Sequence, residues 1–200
     1  MSTESDFSTE LETWLRSDQP KTLGALEAVF EEKSFAVAVL LLMFLPALPI
    51  PTGGVTHVFE AITLLLALEM IAGRRSIWLP ERWRQRELGK TITEKAIPFI
   101  IRRVRWFERF SRPRFAWLYG QRWFLRLLGL LVAGFTAGAA IAPPFSGLDT
   151  LPALGVVTIA LSIILEDAIV LVVGIVIGTG GVVLIITLGA AAARVFRRLF

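Results

Sequence analysis

Three long uncharged stretches dominate the pattern of apolar and polar positions along this chain. They run from 34 to 48, from 127 to 148 and from 168 to 193, and the last one is 26 residues long. Because about 20 apolar residues span a bilayer as a helix, the last stretch alone is long enough to cross it. The pattern predicts an all-α integral membrane protein, and a hydrophobic content of 54% agrees with that class.

The N-terminal segment, residues 1–32, has a different character because it is polar and acidic. It lacks the basic start and the short apolar core of a cleavable signal peptide, so we expect an internal membrane segment to direct insertion. Thr22 precedes a run with apolar residues at helical spacing, which predicts a capped amphipathic helix leading into the first apolar stretch.

The first two apolar stretches are each interrupted by proline and glycine. Proline lacks a backbone donor and glycine permits unusual dihedral angles, so a helix must stop at each interruption. The first run, 34–48, makes a helix of only about 22 Å, against a hydrocarbon core of about 30 Å. Two arrangements stay open: short helices that meet inside the bilayer, or tilted spans joined by a turn at the outer surface. The predicted break residues are Pro49, Pro51, Gly53, Gly54, Pro143, Pro144 and Gly147.

A shift of 93 residues aligns the two interrupted stretches without gaps. The pairs that then coincide include Lys33 with Arg126, Pro51 with Pro144, and Gly54 with Gly147. Both stretches share the order of a basic residue, an apolar run, Pro-x-x-Gly, a second apolar run and a charge. This order predicts two similar broken-helix hairpin units, 33–75 and 126–168, that are duplicated and run in the same direction.

The linker between the two units, residues 76–125, is basic and rich in tryptophan. The surrounding zone from 74 to 126 holds fifteen Lys or Arg residues against four Glu. In its middle, apolar residues recur at helical spacing with arginines between them, namely Ile97, Ile100, Ile101, Val104 and Phe107. This predicts an amphipathic helix able to lie in the headgroup region against anionic lipids. A nucleic-acid partner is not expected, because large apolar residues separate the arginines.

The distribution of basic residues predicts the orientation of the chain. Basic loops stay in the cytoplasm, so the linker and the "RVFRR" tail are both expected there. A single crossing by the C-terminal segment, 169–200, would instead put that tail outside. A bend at "GTGG" (178–181) would resolve the conflict, and so would a different number of crossings in the second unit. The sequence leaves these alternatives open.

Three stretches resemble the ExoD family of bacterial membrane proteins. They are the Pro/Gly break with the segment before it, "TLGALEAVFEEKSFAVAVLLLMFLPALPIPTGG", then "GRRSIWLP", and finally "LPALGVVTIALSIILED". The resemblance covers about 22 to 175, and Ala168 departs from it where the family often has glycine. It implies a multi-pass protein of the cytoplasmic (inner) membrane, associated with exopolysaccharide synthesis or export. The alternatives are a small transporter that uses re-entrant broken helices, or a subunit of a larger membrane complex or homo-oligomer.

The chemistry of the side chains does not predict an enzyme. No catalytic residue is identified, since the acidic residues are scattered and "GTGG" lacks the Lys-Ser/Thr of a phosphate-binding loop. A lone His-x-x-Glu pair is too little for a metal site, and no cofactor is predicted. The candidate functional groups are polar residues that follow the breaks, namely Thr56, His57, Glu60, Asp149 and Thr150.

If the two hairpins face each other, these polar groups converge near two helix N-termini, where the helix dipole favours an anion. The competing interpretation makes them solvated turn and cap residues, with Asp149 as the N-cap of its helix. A separate ion pair is predicted between Glu69 and Arg74 or Arg75, the alternative being a solvated charge at a helix end.

Overall fold

The computed structural model describes ten segments of the chain, and within them the protein is all-helical. These segments are residues 7–22, 24–25, 33–49, 55–74, 77–78, 81–85, 87–90, 92–109, 113–143 and 146–199. Two isolated β-bridges, Thr22 with Glu87 and Arg114 with Asp167, tie parts of the linker to other segments. The predicted helix after Thr22 lies largely outside the described residues, although the Thr22 hydroxyl accepts a hydrogen bond from the Ala25 N–H at 3.2 Å.

The described helices are numbered here in chain order. They are α1 (Phe7–Arg16), α2 (Ser34–Phe44), α3 (Val55–Ile71), α4 (Glu81–Arg84), α5 (Ile97–Glu108), α6 (Ala116–Tyr119), α7 (Arg122–Ile141), α8 (Thr150–Leu165) and α9 (Ala168–Leu199). A π-helical turn, Ile92–Ala96, precedes α5.

The core of the molecule is built from two helical hairpins that pack crosswise. Helices α2 and α3 form the first hairpin, and α7 and α8 form the second. Helix α2 packs against α8 and helix α3 packs against α7, so each first helix lies against the second helix of the other hairpin. Helix α9 then packs along α8 and touches α7.

Both hairpins run in the same direction. Lys33, just before α2, donates a hydrogen bond from Nζ to the Ile164 carbonyl in the last turn of α8, at 3.1 Å. Gly129, near the start of α7, lies against Ala67 and Met70 near the end of α3. Both packed pairs are therefore antiparallel. We call the end where α3 finishes and α7 begins the linker end, and the end holding the turns at 45–49 and 146–149 the break end.

The first break begins earlier than the sequence indicated. Regular helix ends at Phe44, before Pro46, whereas the first predicted break residue was Pro49. Pro46 has no N–H for the Leu42 carbonyl, and its ring crowds the preceding turn. Helix α2 is therefore 11 residues long, about 16 Å, which is half of the hydrocarbon thickness. Pro51, Gly53 and Gly54 lie outside the described residues.

The second break separates α7 from α8. Ala142 is extended, with ψ 137°, as a residue before a proline tends to be, and Pro143 follows it. Gly147 has φ +68°, a left-handed conformation that glycine adopts without strain. Pro144 lies outside the described residues.

Helix α9 runs without interruption from Ala168 to Leu199, so the bend at "GTGG", one of the alternatives that the sequence left open, does not occur. Two of the glycines there allow close packing instead. Gly178 lies against the ring of Phe135 on α7, and Gly181 lies against Pro152 on α8. Side chains at these two positions would push the neighbouring helices apart.

The straight α9 bears on the predicted orientation. Phe135 lies at Gly178 and Gly138 lies at Val182, so α7 and α9 run parallel. Arg122 at the start of α7 and Arg194 near the end of α9 are therefore at opposite ends of the helix bundle. A common side for the linker and the tail is incompatible with a full crossing by both helices.

The amphipathic helix predicted in the linker is α5, but its apolar face is not free to meet lipid. Its inward residues are at most 6% exposed, namely Ile97, Ile100, Ile101 and Val104. Helix α1, which the sequence analysis did not predict, packs on α5, and its Leu11 and Trp14 are buried. The Ser8 hydroxyl donates to Glu108 at 2.5 Å. The Arg105 guanidinium hydrogen-bonds Glu12 and holds the pKa of that carboxyl below its usual value.

Large apolar side chains cover the outside of the bundle. Among the described residues, α7 and the Ala168–Ala191 part of α9 are long and apolar enough to cross a membrane, while α2 and α8 are shorter apolar helices. The exposed apolar residues of α3, α7 and α9 include Val58, Leu65, Leu68, Leu130, Ile141, Val172, Val176 and Ile186. Apolar surface of this extent marks contact with a membrane or a partner.

The crossing of α8 and α9 generates a stability prediction. A Cβ on Gly155 would lie 2.4 Å from the Gly178 Cα, whereas a Cβ on Gly180 would meet nothing within 4 Å. Gly155→Ala should therefore destabilise the protein by about 1–3 kcal/mol through overpacking. Gly180→Ala, which makes the same chemical change on an exposed helix face, should not. Thermal unfolding in detergent measures both variants, and equal stability would contradict the close crossing.

Candidate functional site

The candidate site lies on the inner face of α3. Its buried residues recur every three or four positions, which places them on one face of a helix: Thr56, Glu60, Thr63, Ala67 and Met70. The opposite face carries exposed leucines and a valine. Glu60 therefore points into the bundle because it falls in the register of the apolar stripe, and it is completely buried.

His57 is the partner of this buried carboxylate. Its Nδ1 lies 2.7 Å from the Glu60 Oε2, one helical turn away. The His57 side chain is 38% exposed, whereas that of Glu60 is 0% exposed. The imidazole thus connects the buried carboxylate with the outside of the bundle. The other carboxylate oxygen, Oε1, has no hydrogen-bond partner among the described residues.

Two buried threonine hydroxyls belong to the interface of α3 and α7 by helix register. Thr63 on α3 and Thr136 on α7 are 0% exposed, and neither Oγ1 atom has a hydrogen-bond partner among the described residues. The antiparallel contact of Gly129 with Met70 fixes the register of the two helices. Thr63 is seven residues before Met70, and Thr136 is seven residues after Gly129. Because the helices are antiparallel, both steps lead about 10 Å in the same direction and bring Thr136 level with Thr63. Unpaired buried hydroxyls are uncommon, so this interface has spare hydrogen-bonding capacity.

Asp149 enters the same region from the second hairpin. Its charge acts on Glu60, so the two predicted acidic groups lie within electrostatic reach of each other. Asp149 stands at the N-cap position of α8, but its side chain makes no capping hydrogen bond. Thr150 begins α8 and is half-buried, and Thr56 is buried on α3. The predicted candidate residues therefore come from both sides of the crossed hairpins.

The acidic residues of this region bear on the anion site that the sequence analysis gave as one of two alternatives. Glu60 and Asp149 lie within electrostatic reach of each other. Both would repel a bound anion, so a cation or a proton suits this pair better. The anion site stays a prediction.

The carboxylate of Glu69 contacts the main chain of the linker. Glu69 Oε2 accepts a hydrogen bond from the Trp78 backbone N–H at 2.8 Å. Arg75 lies outside the described residues, so the predicted ion pair with Arg74 or Arg75 stays a prediction. Glu69 thus anchors the start of the linker to the end of α3.

The sequence analysis missed a pair of basic contacts at the linker end. Lys33 reaches the end of α8, where its Nζ lies 3.0 Å from the Glu166 Oε1. Arg126 reaches the end of α3, where its guanidinium lies against Gly73. Gly73 and Glu166 both have positive φ, 81° and 51°. Lys33 aligns with Arg126 and Gly73 aligns with Glu166 under the shift of 93 residues, so the two contacts are equivalent.

A second acidic group holds the turn between α8 and α9. Asp167 is 2% exposed, its Oδ1 accepts a hydrogen bond from the Ile169 N–H at 2.9 Å, and its Oδ2 lies 3.6 Å from Arg114. This side chain caps the first turn of α9 and ties it to the linker. Its role is structural, and no group of three His, Cys, Asp or Glu residues that could hold a metal ion occurs in the described part of the chain.

The two aspartates that precede helices provide a matched test. Asp167→Ala removes a cap bond and a buried ionic contact, and we expect it to lower the free energy of unfolding by about 1 kcal/mol or more. Asp149→Ala removes no cap bond and should have a smaller effect. Thermal unfolding of both variants in detergent gives the comparison. A larger loss from Asp149→Ala would show that Asp149 is a structural cap after all.

Comparison with known proteins agrees with the earlier resemblance. The profile of the family described as "Exopolysaccharide synthesis, ExoD" matches residues 7–187. An uncharacterised protein of Synechocystis sp. is 32% identical over 141 residues, which covers 67% of this chain and 62% of that protein. Protein ExoD of Rhizobium meliloti is 29% identical over 152 residues, which covers 73% of this chain and 61% of that protein.

The chain thus spans about three fifths of the length of each of these two relatives. No solved structure matches it. The family profile covers nearly the whole chain, from α1 into α9, including both hairpins and the linker. This chain belongs to the ExoD family.

Proposed function

We propose that this chain is an integral protein of the bacterial cytoplasmic membrane that takes part in exopolysaccharide synthesis or export. The observation that carries the proposal is the family match over residues 7–187, since exopolysaccharide synthesis is what the family's description names. The proposal assigns no catalytic step to the chain. Its residues would act by binding or moving a ligand within the membrane.

The surface of the bundle supports the membrane part of the proposal. Only 22% of the most apolar stretch of α9 is buried within the protein, and α7 is likewise largely uncovered. In water, each large aliphatic side chain left exposed forgoes about 1.5–3 kcal/mol of burial free energy. A bilayer covers such a surface on all sides at once, whereas a single protein partner covers one face.

The crossed packing supports the proposed duplication. Helix α2 corresponds to α7, and α3 corresponds to α8. Exchanging the two hairpins therefore turns the packed pair α2–α8 into the packed pair α7–α3. The equivalent contacts of Lys33 and Arg126, and the left-handed residues Gly73 and Glu166, follow the same exchange. We infer two duplicated units, 33–75 and 126–168, related by an approximate two-fold axis along the membrane normal.

A transporter is the second candidate, and the buried Glu60 favours it. An ionisable residue inside a membrane bundle is costly and marks a pathway or a binding site in many membrane proteins. Helix α2, about half a span long, supports the proposal that the first hairpin is re-entrant. A role as a subunit of a larger complex, or as a homo-oligomer, would use the exposed apolar faces of α7 and α9.

Deletion of the gene tests the proposed process. The strain without this protein should produce markedly less exopolysaccharide, and expression of the wild-type chain should restore it. Gly155→Ala and Gly180→Ala serve as paired controls, because only the first is expected to reduce the amount of folded protein. Unchanged polysaccharide in the deletion strain would contradict the proposed process. Release of the protein from membranes by alkaline carbonate would contradict membrane integration alone.

Orientation is a separate proposal. The basic linker is expected in the cytoplasm, and the parallel course of α7 and α9 supports placing the C-terminal tail on the other side. The chain has no native cysteine, so single cysteines can be added without background. A cysteine after Phe200 should react with an impermeant reagent in intact cells. Gly89→Cys, in the linker, should react only after permeabilisation, and protection of both would rule out a single crossing by α9.

A further inference from the structure

The interface of α3 and α7 contains most of the unsatisfied buried polar atoms of the described chain. Five buried side-chain atoms lack a hydrogen-bond partner among the described residues, and three of the five belong to this interface: Glu60 Oε1, Thr63 Oγ1 and Thr136 Oγ1. A buried polar atom left unpaired costs about 1–3 kcal/mol. Three such oxygens on one helix interface, one of them a carboxylate oxygen, indicate a site that takes up something which the bare chain does not supply.

The surrounding charges limit what this site can bind. Helix α2 carries no charged residue, and neither α8 nor the segment from 50 to 54 contains a titratable one. Helix α9 has no charge between 168 and 193. Arg126 of α7 lies against Gly73. Gly73 is thirteen residues from Glu60, so this arginine is about 20 Å away along the helix. Besides His57, the charged residue that acts on Glu60 is Asp149, which is negative.

The number of unpaired oxygens at the site favours a proton over a divalent metal ion as its ligand. Calcium and magnesium take at least six oxygen ligands, and neighbouring backbone carbonyls of an unbroken helix are occupied by helical hydrogen bonds. Glu60 and Thr63 lie within the uninterrupted α3, and Thr136 lies within the uninterrupted α7. Three side-chain oxygens are too few for a dehydrated divalent cation. A proton needs a single acceptor atom, and the Glu60 carboxylate beside His57 supplies one.

We propose that Glu60 and His57 form a proton-binding site that is filled from the break end through the exposed imidazole. In the empty state, His57 is neutral, carries its proton on Nδ1 and donates it to the Glu60 carboxylate. Water delivers a proton to His57 Nε2, and the Nδ1 proton then passes to Glu60 Oε2. The filled state holds a neutral carboxylic acid that donates to Nδ1, beside a neutral imidazole protonated on Nε2.

Each group of the site has a defined part in this transfer. The net charge of the pair changes from −1 to zero, and no other reactant is needed. Asp149 adds a negative charge that acts on Glu60. Proton binding is a property of the folded chain and does not depend on the proposed function. Only the role of this proton binding in the cell rests on the proposed membrane function.

The chain has a single histidine, so nitrogen NMR reports on this site without assignment. The experiment uses the full chain, labelled with ¹⁵N-histidine and held in lipid nanodiscs, and titrates it with pH. In the wild-type protein, we expect the protonated nitrogen to change from Nδ1 to Nε2 as the pH falls, with no build-up of imidazolium across that change. Formation of imidazolium in place of this tautomer exchange would overturn the proposal.

Two variants and one ion control sharpen the result. Glu60→Gln cannot accept the relayed proton, so the exchange of the protonated nitrogen from Nδ1 to Nε2 should be lost in this variant. Glu69→Gln, at the other end of α3, should behave as the wild type. If Glu60→Gln does not fold, the wild-type titration still decides the question. Addition of sodium ions at fixed pH should leave the spectrum unchanged, and a change would overturn the proposal in favour of a metal cation. None of these outcomes depends on polysaccharide output.

Discussion

The crosswise packing of the two hairpins is the constraint on which the rest of the structure depends. Helix α2 has only 11 residues and no polar face, so it cannot be stable alone and must be covered by α8 and α5. Because α2 lies on α8, α3 is left to pack on α7, and the buried stripe of α3 then carries Glu60 into the bundle. The basic contacts of Lys33 and Arg126 hold the same arrangement at the linker end by binding the ends of the opposite hairpin's second helices.

Sequence reasoning could reach the apolar helices of this fold, because their length and lack of charge are local properties. It could not separate glycines that bend a helix from glycines that pack it. A bend of α9 at "GTGG" was one open alternative, but Gly178 and Gly181 pack against Phe135 and Pro152, and the helix is uninterrupted. The sequence also could not show what covers the apolar face of α5, and that face was assigned to lipid. Its spacing shows that the face must be covered, while the cover, α1, comes from a segment about ninety residues earlier.

The candidate site was predictable to the extent that its groups are close in sequence. His57 and Glu60 are three residues apart, so their contact follows from helical geometry. The approach of Asp149 needed the further assumption that the hairpins face each other. Thr63 and Thr136 gave no signal, because a threonine in an apolar helix normally bonds to its own backbone, as Thr158 does to the Leu154 carbonyl at 2.7 Å. The Thr63 and Thr136 hydroxyls differ from that of Thr158 because they make no hydrogen bond among the described residues.

The proposed duplication also explains why there is one such site and not two. Under the shift of 93 residues, Glu60 aligns with Ala153, Thr63 with Val156, and Met43 with Thr136, and all six side chains are 0% exposed. Burial is therefore the same in both units, while the polar groups are not. Two carboxylates facing each other across the axis would repel in a medium of low dielectric constant, whereas one carboxylate beside apolar counterparts can hold a single proton. Burial at equivalent positions of the two units keeps the hairpins packed together. The polar groups present in only one unit provide the proposed proton-binding site.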